Sequence, residues 1–222
     1  MIVAVTGLVR EARIVRGERV VTLVGGGDAG GLKKQLDTIL PEKGVSGVIS
    51  IGLAGGLSPD LRPGGIVIGS EVVSGTERYE TDSDWLQRMW RAIPRSKPGI
   101  VAGSDTIIMH RPDKTALYER TGAVSVDMES HIAARAAHQF NKPFAVLRVV
   151  CDPGDRTLPP AALIAMKADG SVDIQAVLRS VAAHPRQIPD LLYLARASAA
   201  AFRTLLRCRN FLGDGLAGPD LR

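Results

Sequence analysis

Short apolar runs alternate with amphipathic stretches along most of the chain. Residues 2–5, 20–24, 45–51, 66–73, 99–103 and 144–150 are runs of four to eight residues rich in Val and Ile. That length suits strands rather than helices, and the lack of polar alternation is that of strands covered on both faces. Between them, apolar positions recur at spacings of three and four. Residues 10–15, 32–40, 85–93, 112–120, 172–182 and 188–212 read as helices, with Leu86, Met89 and Trp90 as the core stripe of the third. In the last, Ile188, Leu191, Leu192, Ala195, Ala199, Phe202, Leu205 and Leu206 share one face, while Arg196, Arg203 and Arg207 project elsewhere. From Ser125 a further helix is expected, its face formed by Ile132, Ala133, Ala136, Ala137 and Phe140. Polar residues 77–82 read as a rim loop, and the Gly/Pro/Asp-rich residues 213–222 as a disordered tail. Strands alternating with helices give an α/β fold, expected as one domain over residues 1–212.

The candidate chemistry lies where strands end. Thr6-Gly7 closes the first strand and leads to Arg10, Glu11 and Arg13. Gly52, Leu53 and Ala54 open the exit of the third, where glycines let backbone approach a ligand. Asp127 and Glu129 fall in the first turn of the helix expected from Ser125, where the helix dipole favours negative charge. Asp152 is delivered by the end of the strand at 144–150. Ligands of α/β sheets bind beyond such ends, so Glu129 and Asp152 are expected to face one cleft. The glycine-rich residues 25–31 fit neither a dinucleotide fingerprint nor a P-loop, and serve equally well as a connector.

Composition narrows the class. The 222 residues are 45% hydrophobic and 23% charged with a net charge of +5, and the isoelectric point is near 9.5. The basic residues are scattered, which argues against nucleic acid as a partner. Cys151 and Cys208 give neither a metal knuckle nor a disulfide framework, so no metal is expected and a reducing cytoplasm is. No stretch reaches the roughly 18 apolar residues of a spanning helix, and the N-terminus lacks the features of a signal peptide.

Four motifs, in order, resemble a known family: residues 51–57 (Ile-Gly-Leu-Ala-Gly-Gly-Leu), 103–108 (Gly-Ser-Asp-Thr-Ile-Ile), Val126-Asp127-Met128-Glu129, and the strand from Phe144 ending in Cys151-Asp152. Together they are similar to the nucleoside phosphorylase and nucleosidase superfamily, nearest in pattern to the methylthioadenosine/S-adenosylhomocysteine nucleosidases. The resemblance implies a three-layer αβα sandwich around a mixed, twisted sheet and cleavage of an N-ribosyl bond. It assigns Glu129 to the ribose hydroxyls, Met128 to the sugar face, Ile107 and Ile108 to the base, and Asp152 to protonation of the purine at N7. It makes Glu11 the candidate for orienting water, although the family glutamate stands one residue further from the glycine. Gly7, Arg10, Arg13, Gly52, Leu53 and Ala54 form the nucleophile region. Phosphate ligands that many phosphorylases carry at the positions of Ser50 and Leu53 are missing, which leaves both water and phosphate, as a co-substrate, open.

The C-terminal third adds a finer resemblance. Residues 151–160 (Cys-Asp-Pro-Gly-Asp-Arg-Thr-Leu-Pro-Pro), 168–171 (Ala-Asp-Gly-Ser) and 184–192 (His-Pro-Arg-Gln-Ile-Pro-Asp-Leu-Leu) are similar to the hopanoid-associated nucleoside phosphorylases. This implies release of adenine from adenosylhopane in hopanoid lipid synthesis, without a bound cofactor. Its 5′ pocket would be open and apolar, walled by the Trp85–Trp90 region or the last helix. A methylthioadenosine-, S-adenosylhomocysteine- or futalosine-type nucleosidase is the alternative, and a non-catalytic purine-nucleoside binder is the alternative of another class. The expected setting is a cytoplasmic homodimer with at most peripheral contact to the inner membrane through the arginine-rich last helix.

Overall fold

The computed structural model describes residues 1–159, 179–180, 183 and 185–219. Its elements are β1 (Ile2–Thr6), α1 (Val9–Val15), β2 (Val20–Val24), α2 (Ala29–Ile39), β3 (Gly47–Gly56), β4 (Ile66–Ser74) and β5 (Glu77–Glu80). They continue as α3 (Ser83–Ala92), β6 (Lys97–Gly103), α4 (Arg111–Thr121), β7 (Ser125–Asp127), α5 (Ser130–Gln139), β8 (Phe144–Asp152), a short 3-10 turn at Pro185–Gln187, and α6 (Ile188–Leu212). Residues 168–171, most of the helix expected over 172–182, and the tail beyond 219 lie outside the described residues.

Successive side chains of a strand point to opposite faces, and here that alternation sorts the core into two layers. Val3 and Val5 of β1, with Val146 and Val150 of β8, pack beneath Leu32 and Leu36 of α2 and Ile132 and Ala133 of α5. Their neighbours Ile2, Ala4, Leu147 and Val149 pack on the other side against Trp85 and Met89 of α3 and Ala201, Leu205 and Cys208 of α6. The sheet between them is mixed. β1 is parallel to β2 and β3, and β3 is parallel to β8. β8 is antiparallel to β4, which runs parallel to β6. β6 is parallel to β7, and β7 returns antiparallel to β3. The expected three-layer α/β architecture is thus present, with part of its sheet closing on itself through β3, β8, β4, β6 and β7.

Several local expectations are corrected. The glycine-rich exit after Ile51 is not a loop: β3 continues to Gly56, shifting register at Ala54/Gly55 so that its end pairs with both β8 and β7. Residues 77–80 are not a rim loop but an edge strand in a hairpin with β4. Ser125–Asp127 is a strand, so α5 begins only at Ser130 and Glu129 is its N-cap residue. In α3 the buried indole is Trp85, fully enclosed, whereas Trp90 is 50% exposed. The buried face of α6 runs through Ala201, Leu205, Cys208 and Leu212, leaving Ile188, Leu192 and Leu206 exposed.

Residues 213–219 are not a disordered tail but pack against the domain. Leu216 is fully buried. Its carbonyl accepts from the Trp85 indole N–H at 2.9 Å, and the Ala217 carbonyl accepts from Arg88 Nε at 2.9 Å. A buried indole N–H left without an acceptor is costly, which fixes this turn under α3. Leu216→Ala is therefore expected to lower the unfolding free energy by about 2–5 kcal/mol in denaturant titrations. An unchanged midpoint would contradict the packing described.

Candidate active site

The parallel strands β1, β3 and β8 end on one side of the sheet, and their exits meet there. A cavity of about 180 Å3 is lined by Gly7 and Glu11 after β1, Leu53 and Ala54 of β3, and Cys151 and Asp152 of β8. Asp127, Met128 and Glu129 between β7 and α5 close another wall, and Ile107, Ile108 and Leu158 an apolar one. The loop carrying the two isoleucines is tied to α5, because His131 Nε2 lies 3.0 Å from Asp105 Oδ1.

Glu11 stands at the third position of α1 and reaches back over the helix start, a capping geometry. Its Oε2 accepts from the backbone N–H groups of Gly7 and Leu8, each at 2.8 Å, and its Oε1 accepts from that of Leu53, also at 2.8 Å. One carboxylate thus joins the exits of β1 and β3. A Cβ at Gly52 would stand 2.8 Å from this carboxyl, so a larger residue there would have to displace it. Burial raises the Glu11 pKa, opposed by the Leu53 amide and by Arg148.

Beneath the cavity lies Arg148, fully buried in β8. Its guanidinium donates to Ser50 and Ser130, the latter at 3.0 Å. Nε lies 2.9 Å from Asp127 Oδ2, an ion pair set off the hydrogen-bond line. Asp127 in turn accepts from the backbone N–H groups of Glu129 at 2.8 Å and Ser130 at 2.6 Å, and from the Ser130 hydroxyl at 2.7 Å. This network fixes the turn that aims Glu129. Gly25 makes room for it, since a Cβ there would stand 2.8 Å from Glu129 Cγ. The Glu129 pKa is raised to about 8, first by burial, with Arg148 opposing and the nearby charges of Asp127 and Glu11 adding.

Asp152 is held from two sides. Lys114 of α4 donates to Oδ2 at 2.5 Å, and the Cys151 thiol donates to Oδ1 at 3.3 Å. Burial raises the Cys151 pKa well above its ordinary value, so the thiol keeps its proton and acts as a donor.

The structure therefore gathers Gly7, Glu11, Leu53, Ala54, Ile107, Ile108, Met128, Glu129 and Asp152 around one space, with Gly52 packed behind Glu11. Arg10 and Arg13 are corrected: neither lines the cavity. Arg10 sits over the Phe202 ring at 4.0 Å, and Arg13 is exposed. The Trp85–Trp90 region does not line it either, since Trp85 is buried beneath the opposite helical layer. Arg148 and Lys114 are the residues that sequence reasoning missed. A lone cation inside an apolar strand was the available signal for Arg148. Among the described residues no cluster of three His, Cys, Asp or Glu side chains is set to hold a metal ion, and no helix is long and apolar enough to cross a membrane.

The raised Glu129 pKa has a consequence for stability. The folded state keeps this proton to about pH 8, against an ordinary value of 4.5. Its contribution is complete below the ordinary value and is lost as pH rises through the folded one. Between about pH 5 and 8 the wild-type melting temperature should fall more steeply than that of Glu129→Gln; parallel curves would contradict the assignment.

A family model described as the phosphorylase superfamily matches residues 10–183. A 5′-methylthioadenosine/S-adenosylhomocysteine nucleosidase of Anoxybacillus flavithermus is 28% identical over an alignment spanning 65% of this chain and 67% of that protein. A Helicobacter pylori 5′-methylthioadenosine/S-adenosylhomocysteine nucleosidase with butyl-thio-DADMe-Immucillin-A superposes with a TM-score of 0.64 at 14% identity, covering 94% of this chain and 97% of that one. Futalosine hydrolase of the same organism gives 0.64 at 15% identity, covering 94% and 96%. The two structural matches bear on the fold, and the family match spans most of the chain: it belongs to the phosphorylase superfamily.

Proposed function

We propose that this protein hydrolyses the N-ribosyl bond of an adenine-bearing nucleoside. The observation that carries this reading is the placement of three carboxyl groups, Glu11, Glu129 and Asp152, around one cavity with an apolar wall at Ile107 and Ile108. Glu129 accepts from two vicinal ribose hydroxyls and, when ionised, stabilises the positive charge that develops on the sugar. Met128 packs on the sugar, the isoleucines take the base, and Asp152 delivers a proton to N7, making adenine a neutral leaving group.

Water is favoured over phosphate by the contacts of Glu11. Converging backbone N–H groups are what a loop offers to an anion. Here those of Gly7, Leu8 and Leu53 already bond the Glu11 carboxyl. A phosphate would meet no free amides of that set, since the Glu11 carboxyl already occupies them. Arg10 and Arg13, the cations that would offset it, are away from the cavity. In this reading Glu11 orients the attacking water and takes its proton.

The names of the similar proteins point to methylthioadenosine, S-adenosylhomocysteine or futalosine as the kind of substrate. Methylthioadenosine is the first to assay. The finer reading, adenosylhopane, rests on the sequence resemblance at residues 151–160, 168–171 and 184–192.

The wild type should release adenine from methylthioadenosine, and Asp152→Asn should slow that release by about 100-fold or more. The amide keeps the size of the side chain and an acceptor for Lys114, so the fold is spared. Near-normal turnover in this variant would remove Asp152 from the reaction. Adenine release from adenosylhopane faster than from methylthioadenosine would support the lipid substrate, and none from adenosylhopane would exclude it.

A further inference from the structure

Helix α4 is polar and surface-lying, yet it turns one lysine inward. Lys114 is its one buried residue, with a fully enclosed side chain. An ammonium group removed from water is costly unless each of its protons finds an acceptor. Nζ meets that condition with Asp152 Oδ2 at 2.5 Å, Pro153 O at 3.1 Å and Arg156 O at 3.1 Å. An ammonium has three donors and no acceptor, so the site is fully subscribed. One of the partners is the carboxyl that faces the base, and the other two belong to the loop that follows it. Since Oδ2 is taken by Lys114, the Asp152 oxygen left for a ligand is Oδ1, whose donor among the described residues is the weak thiol of Cys151.

We infer that Lys114 is the positioning residue of leaving-group activation: by holding Asp152 Oδ2 and the loop that follows, it directs Oδ1 and the proton it carries to the base. The inference rests on the purine-nucleoside cleavage proposed above. When the C1′–N9 bond breaks, its electron pair leaves with the base, and water supplies the pair that forms the new C1′–O bond. The base takes a proton at N7 from the Asp152 carboxyl. Asp152 regains its proton at Oδ1, on the cavity side, from solvent after the products depart, and the Lys114 ammonium keeps its three protons throughout. The proton lost by the attacking water goes to Glu11. A purely structural lysine, pinning the loop through the Pro153 and Arg156 carbonyls, would support every substrate equally. A lysine acting through Asp152 matters only when the leaving group needs a proton.

That difference sets the test. Methylthioadenosine needs protonation of its base, whereas 4-nitrophenyl β-D-ribofuranoside leaves as a stabilised phenolate and does not. The quantity read is the ratio of kcat/KM for the first substrate to that for the second, in wild type, Lys114→Met and Lys114→Arg. In Lys114→Met the ratio should fall by at least about 30-fold, the loss residing in kcat, and in Lys114→Arg by an intermediate amount. Should the methionine variant fail to fold, the arginine variant, which keeps the charge beside Asp152, decides alone. A ratio unchanged from wild type in a folded variant overturns the role of Lys114 while leaving the proposed activity standing. A wild-type protein that cleaves neither substrate overturns the activity and this role together.

Discussion

Arg148 is a fully buried cation that underlies a group of acids. It lies 2.9 Å from Asp127, and its charge opposes the rise in pKa of both Glu11 and Glu129. Burial first, and then the neighbouring charges of Asp127 and Glu11, lead Glu129 to hold its proton to about pH 8, with Arg148, the guanidinium that these three buried carboxyls share among the described residues, opposing. Removing Arg148 would leave Asp127 as an uncompensated buried charge and release the turn that aims Glu129. In the proposed reaction further positive charge is supplied by the substrate, as the sugar acquires oxocarbenium character. A site that is electrostatically unsatisfied with its ligand absent and satisfied at the transition state is stabilising in the sense that accelerates chemistry.

The fold converts this arrangement into a cavity by bringing strand exits together. β3 carries the work, because its register shift at Ala54/Gly55 lets one strand end pair with β8 on one side and β7 on the other. Asp152 and Asp127 are thereby placed on neighbouring walls. Glu11 then joins β1 to β3 through three backbone amides. These are the groups that could otherwise receive an anion, so a side chain of the protein answers in advance which nucleophile the loop can accommodate.

Most of the architecture was legible in the sequence, because burial on both faces leaves near-continuous apolar runs at β1 and β8, and the long α6 leaves its helical period. What was not legible depends on contacts distant in sequence. β7 has three residues and exists through its pairing with β3 and β6. The glycines after Ile51 look like a loop until the partners on either side of β3 are known. Leu216 reads as tail, since nothing local signals that Trp85 takes its carbonyl. At the site, Glu129 and Asp152 could be found from their places at a helix start and a strand end. Arg148 sits in an apolar run that reveals neither its depth nor its partners. Lys114 lies among the charges of α4, where only the tertiary structure shows which one turns inward.

Product analysis of methylthioadenosine turnover bears on the whole arrangement at once. In phosphate-free buffer the protein should yield adenine and free 5-methylthioribose, at a rate that added phosphate does not increase. Adenine release that requires phosphate, with the sugar recovered as its 1-phosphate, would contradict the place given to Glu11 and the hydrolytic chemistry built on it.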